Sequence, residues 1–192
     1  MKYIKTYNKI FENIITELDY SNQYLTELPK LPDTLKLLNC SHNNLTELFN
    51  LPNTLEELYC HYNKLIELPE LPETLKELYC YKNNLTELPK LPKYLKTLCC
   101  THNNLTKLPD LPDSLELLYC ENNNLTKLPE LPIKLKFLNC AYNNLSKLPE
   151  LPDSLIELDC FNNKLPYTNL KGYKEWYVKT YPERIEAKKY NL

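Results

Sequence analysis

The sequence predicts an α/β-type repeat solenoid: eight short parallel strands in one sheet, extended polyproline-like returns behind it, and a small helical cap at each end. Three observations predict it. Cysteine recurs every 20 residues, at Cys40, Cys60, Cys80, Cys100, Cys120, Cys140 and Cys160, with Tyr20 in the first slot. Leucine fills the position two before each of these, from Leu18 to Leu158, without exception. Between units runs a stretch with two prolines, such as Pro69 and Pro72. Self-similarity at a fixed period of this size marks a solenoid, in which each unit buries its apolar face only by stacking on its neighbours.

Taken in chain order, the first element is a capping helix over 1–14. There Ile4, Tyr7, Ile10/Phe11 and Ile14 fall at helical spacing. A solenoid without caps would expose its core at both ends.

The repeats occupy 15–165 and read L-x-x-L-x-C-x-x-N-x-L-x-x-L-P-x-L-P-x-x. Alternate strand residues face opposite ways, so Leu58 and Cys60 point inward while Glu57, Tyr59 and His61 point outward. A strand of five residues leaves 15 for the way back, too few and too proline-rich for a regular helix. Pro69 and Pro72 favour an extended path, and Leu65, Leu68 and Leu71 drop inward along it. Asn63 and its equivalents can bond the turn backbone and stack as a ladder. Asparagine also tolerates left-handed backbone, a way to turn repeatedly in a chain with one Gly.

The tail, 166–192, places Thr168 ahead of a helical pattern through Trp176 and Tyr177. Pro182 then opens a second short helix. Trp176 is expected to lie over the last repeat.

The L-x-x-L-x-L-x-x-N-x-L core stands here with Cys as the third strand residue, and in these positions the chain resembles the leucine-rich repeat family. The LPxLP returns at 20-residue length are most similar to the short repeats of secreted bacterial effectors and of large DNA viruses infecting amoebae. The resemblance implies a horseshoe whose strands line the concave face and bind a protein or peptide. Some such effectors carry a C-terminal ubiquitin-ligase domain with a catalytic cysteine. Only 28 residues follow Lys164, so that activity is not expected here. Two alternatives to a free-standing scaffold are an effector-type targeting module of a ubiquitin ligase whose catalytic part is absent or on another chain, and a structural component of a particle.

The cysteine column invites a metal or redox role. Zinc needs ligands that converge tetrahedrally, and one thiol per unit on a straight ladder does not converge. Neighbouring strands ~4.8 Å apart exceed the ~3.8 Å between bridged β-carbons. Small buried thiols filling a narrow core are the better account. His42, His61 and His102 form no triad, and one Gly cannot build a phosphate loop. No enzyme, cofactor or metal site is therefore expected.

Net charge is −2, and the outward rows hold almost no Lys or Arg, so neither nucleic acid nor an anionic membrane is an expected partner. No apolar run resembles a signal peptide or could span a bilayer, which makes the glycosylation triplets in NNLT incidental and the cytoplasm the expected compartment. Charges along the returns are expected to compensate locally, as Glu87 with Lys90 or Lys127 with Glu130. Large apolar residues in the outward strand columns are what a binding surface would show. They are Tyr59, Tyr79, Cys99 and Tyr119 in one row, Leu37, Leu117 and Phe137 in the row before, and His61, Tyr81 and Phe161 in the row after. The competing account is that in-register tyrosines merely stack and stabilise the sheet.

Overall fold

The computed structural model describes residues 15–182; the predicted 1–14 helix and the second short helix beyond Pro182 lie outside them. Eight strands follow one another in a single parallel sheet in chain order. They are β1 (Glu17–Asp19), β2 (Leu37–Asn39), β3 (Glu57–Tyr59), β4 (Glu77–Tyr79), β5 (Thr97–Cys99), β6 (Leu117–Tyr119), β7 (Phe137–Asn139) and β8 (Glu157–Asp159). Every residue pairs with its counterpart 20 further on, as Leu58 with Leu78. Each strand has three residues rather than the expected five. Interstrand backbone bonds nevertheless continue past it: the Cys60 N–H donates to the Tyr79 carbonyl at 2.9 Å and the Tyr62 N–H to that of Tyr81 at 3.0 Å.

The core is a stack of identical layers. Leu55, Leu58, Cys60 and Leu65 of one unit are each 0% exposed, as are their equivalents in the next, Leu75, Leu78, Cys80 and Leu85. Leu68 is buried as well, and Leu71 packs partly buried against this core. No helix forms in the returns among the described residues. The second proline of each LPxLP has a role besides stiffening the path: its carbonyl accepts from the N–H three residues on, as Pro72 from Leu75 at 3.0 Å, closing the turn that starts the next strand.

Two polar ladders hold the layers together. Asn63 Oδ1 accepts from the Leu45 N–H at 2.9 Å, while Nδ2 donates to the carbonyls of Cys40 at 2.9 Å and Cys60 at 3.1 Å. One side chain thus satisfies buried backbone groups of two successive units, and the pattern recurs from Asn43 to Asn163. The other ladder was not foreseen. Thr54 Oγ1 donates to the carbonyls of Leu35 at 2.7 Å and Asp33 at 2.8 Å, and Thr74 and Ser114 repeat this.

The left-handed backbone lies elsewhere than expected. It is held by the residue before each ladder asparagine, whatever its type: His42 (φ 55°), Tyr62 (52°), Lys82 (52°), His102 (52°), Asn122 (52°) and Tyr142 (50°). The ladder bonds on either side impose the turn and absorb its cost. The ion pairs also differ from expectation. Glu87 pairs with Lys107 of the next unit at 3.7 Å, Glu56 with Lys36 at 3.1 Å and with Lys76, and Glu116 with Lys136 at 2.6 Å. In-register stacking brings residues 20 apart nearer than residues three apart along an extended return.

At the C-terminal end the chain folds back on β8. The Cys160 N–H donates to the Thr168 carbonyl at 2.9 Å, and Asp159 and Asn169 form an antiparallel bridge. This covers the last strand edge. The helix that follows, α1 (Leu170–Thr180), is capped by Asn169, whose side chain accepts from the Gly172 N–H at 2.9 Å, so the cap sits one residue beyond Thr168. Trp176 packs against the core beside Tyr167, with ring centroids 5.1 Å apart; Tyr167 itself is buried.

Candidate functional site

Three rows of side chains stand on the concave face because residues 57, 59 and 61 of the repeat alternate with the buried 58 and 60. All ten residues singled out from the sequence lie there, each partly exposed: Leu37, Tyr59, His61, Tyr79, Tyr81, Cys99, Leu117, Tyr119, Phe137 and Phe161. They form separate groups rather than one patch.

The largest group spans β2 to β4. Tyr59 and Tyr79 stack with centroids 4.9 Å apart and planes 10° from parallel. The Tyr59 hydroxyl donates to Glu57 at 2.9 Å and lies 3.5 Å from a Glu77 oxygen. Burial, and then those carboxylates, push the Tyr59 phenol well above its ordinary range; burial also raises the Tyr79 phenol. Beside them His61 stacks on Tyr81 at 4.3 Å and 9°. Burial, then neighbouring His42, lower the His61 pKa to about 4, and its Nδ1 is buried without a hydrogen-bond partner. The imidazole is therefore neutral near pH 7.

Three members of this group were missed. His42 stacks on Tyr62 at 4.2 Å and 14°, and Lys82 Nζ lies 4.6 Å from the Tyr62 ring centroid. Strand alternation would turn these residues inward, but the left-handed turn turns them out. Tyr142, in the same column, meets Phe161 edge-on at 4.7 Å. The signal available was the column itself, one position before each ladder asparagine.

A second group lies further along. Leu117 pairs with Phe137, and Tyr119 stands next to Asn139, whose Nδ2 donates to Glu121. Leu37 sits apart between Glu17 and Glu57, on a hollow of about 540 Å³ that Tyr59 also lines. Cys99 separates Tyr79 from Tyr119. Burial raises its thiol pKa, the opposite of an activated nucleophile.

Elsewhere, a hollow of about 340 Å³ opens between the last return and α1, lined by Leu151, Tyr173, Tyr177 and Val178. Among the described residues, no group of three or more His, Cys, Asp or Glu could hold a metal ion, and no helix is long and apolar enough to cross a membrane.

Among solved structures, the chain is similar to YopM of Yersinia enterocolitica, 44% identical with a TM-score of 0.72 over 73% of this chain and 31% of that one. It is similar to YopM of Yersinia pestis, described as a leucine-rich effector protein, at 42% identity and a TM-score of 0.76 over 79% and 44%. It is also similar to the leucine-rich repeat domain of a Shigella effector, at 33% identity and a TM-score of 0.73 over 89% and 78%. The chain spans less than half the length of either YopM. No family model matches it, and no curated protein matches it at a significant level.

Proposed function

The chain belongs to the leucine-rich repeat family in its short-repeat, effector-type form, and on that premise we propose that it is a non-catalytic scaffold whose concave sheet binds a protein or peptide. The observation that carries this is the run of partly exposed aromatic and aliphatic side chains in the three outward rows from β3 to β8. Large apolar groups held in fixed positions by a rigid sheet are what a partner can desolvate at low entropic cost.

The test is a pull-down from native lysate with wild type, Tyr79→Ala/Tyr119→Ala and the exposed convex control Glu130→Ala. Loss of a specific partner in the double variant alone, with its melting temperature lowered by no more than the few degrees that one lost ring stack costs, supports the concave sheet. If the double variant keeps the partner, the binding surface is elsewhere, and the α1 hollow becomes the first place to look. If it melts far earlier than wild type, the tyrosines are struts of the sheet.

A further inference from the structure

We propose that the break which Cys99 makes in the tyrosine row is a socket for one arginine side chain of an extended partner peptide. This rests on the concave sheet being the binding face, and adds which side chain it takes and where.

The row has a pitch. Tyr59 and Tyr79 occupy successive strands and stack nearly parallel, 4.9 Å apart. The same register continues through Cys99 to Tyr119, so β5 is a step at which the ring is missing. Two steps of ~4.8 Å separate the Tyr79 and Tyr119 positions. A planar group touching a ring on each side needs roughly 7–8 Å, twice the ordinary carbon contact distance. One such group fits and two do not.

The rest of β5 confines the opening to one residue. Thr97 stands where its neighbours carry Glu77 and Leu117, and Thr101 where they carry Tyr81 and Glu121. These threonines are only 5% and 7% exposed, so taller neighbours close over both and confine the opening to Cys99 between them. Cys99 remains partly exposed on the floor. The opening is thus a socket one strand wide at Cys99, between the Tyr79 and Tyr119 positions.

Charge then selects the occupant. Glu77 stands beside Thr97 at one end. Glu121, near enough to oppose ionisation of Cys99, marks the other; one of its oxygens accepts from Asn139 and the second remains for a cation. No lysine or arginine occupies the three rows from β3 to β6. A neutral ring would fill the gap and leave the carboxylates unmatched, and an ammonium would match the charge without the plane. A guanidinium brings a flat face for the rings and edge donors for the carboxylates.

The test is to pan a random-peptide display library on wild-type protein and to titrate synthetic copies of the selected peptides against variants. Peptides that lose binding to Tyr79→Ala/Tyr119→Ala should share an arginine. Replacing it by citrulline, same shape without charge, should weaken binding about tenfold or more, and by lysine less. Cys99→Tyr, which supplies the ring that β3, β4 and β6 already carry, should cost a similar factor without lowering the melting temperature. Concave-dependent peptides that tolerate citrulline, that share an aromatic instead, or that bind Cys99→Tyr unchanged would overturn the socket while leaving the concave sheet as binding face. Failure to select any peptide that depends on Tyr79 and Tyr119 would overturn both.

Discussion

Asn103 accepts the backbone N–H of Leu85 at 3.0 Å, reaching 18 residues back along the chain. Its Nδ2 donates in turn to the carbonyls of Cys80 and Cys100, each at 3.1 Å. The Leu85 N–H depends on this one side chain, while the Cys80 and Cys100 carbonyls are shared with Asn83 and Asn123 of the flanking units. The ladder is where sequence period becomes mechanical continuity.

Asn103→Ala should therefore cost about 2 kcal/mol of unfolding free energy, the cost of stranding the buried Leu85 N–H. Its exposed neighbour makes the control, since Asn104→Ala should stay within about 0.5 kcal/mol of wild type. Urea denaturation followed by circular dichroism measures both. Equal effects would mean that the ladder bonds are dispensable.

Burial drives the core thiols upward, Cys40 to about 12 and Cys60, Cys80, Cys100 and Cys120 well above their ordinary value. Thiol titration of the native protein near pH 8 should find at most Cys99 reacting, and slowly, with all eight released by denaturant. Fast reaction of several thiols in the folded state would contradict the core described here.

His61 gives a pH dependence of definite sign. Its pKa is about 4 folded against 6.5 unfolded, so between these values the unfolded chain binds more protons and stability falls as pH falls. Above about 6.5 the group contributes no slope. His61→Phe, placing there the residue that Phe161 is in the same column, should flatten the melting-temperature profile between pH 6.5 and 4 relative to wild type. Parallel profiles for the two proteins would show that His61 is not held neutral by the fold.

The tyrosines separate packing from binding. Tyr79→Ala forfeits its stack on Tyr59 and should cost about 1 kcal/mol of stability. Tyr119, with no ring neighbour among the described residues, should cost less. In partner affinity each should cost about 2 kcal/mol or more. A thermal melt beside a binding titration of the two single variants distinguishes the effects, and a stability loss matching the affinity loss would point to indirect damage.

The fold was legible because two periods are printed in the chain: the alternation of Leu58 with Tyr59 gives the strand, and Leu58 to Leu78 gives the layer. What was hidden depends on partners rather than identity. Tyr62 and Lys82 share a left-handed backbone with Asn122 because the adjacent ladder asparagine fixes it, so neither residue announces the turn, and the aromatic group around His42 and Tyr62 could not be assembled. The helix cap moved from Thr168 to Asn169 because the Thr168 carbonyl is engaged with Cys160. Glu87 found Lys107 rather than Lys90 because three extended residues reach ~10 Å whereas one strand step is ~4.8 Å. Alternation alone puts the ten residues on the outward side of the strands; their division into groups came from which strands carry small residues.

The in-register sheet also acts as a vernier. Its rows mark off ~4.8 Å at every strand. A peptide crossing them in β conformation shows side chains on one side every ~6.7 Å and drifts out of phase at once. A polyproline II segment returns to the same face every ~9.3 Å, nearly two rows. The surface is thus commensurate with a left-handed, three-fold ligand and incommensurate with a strand, a preference written in the spacing before any contact is made.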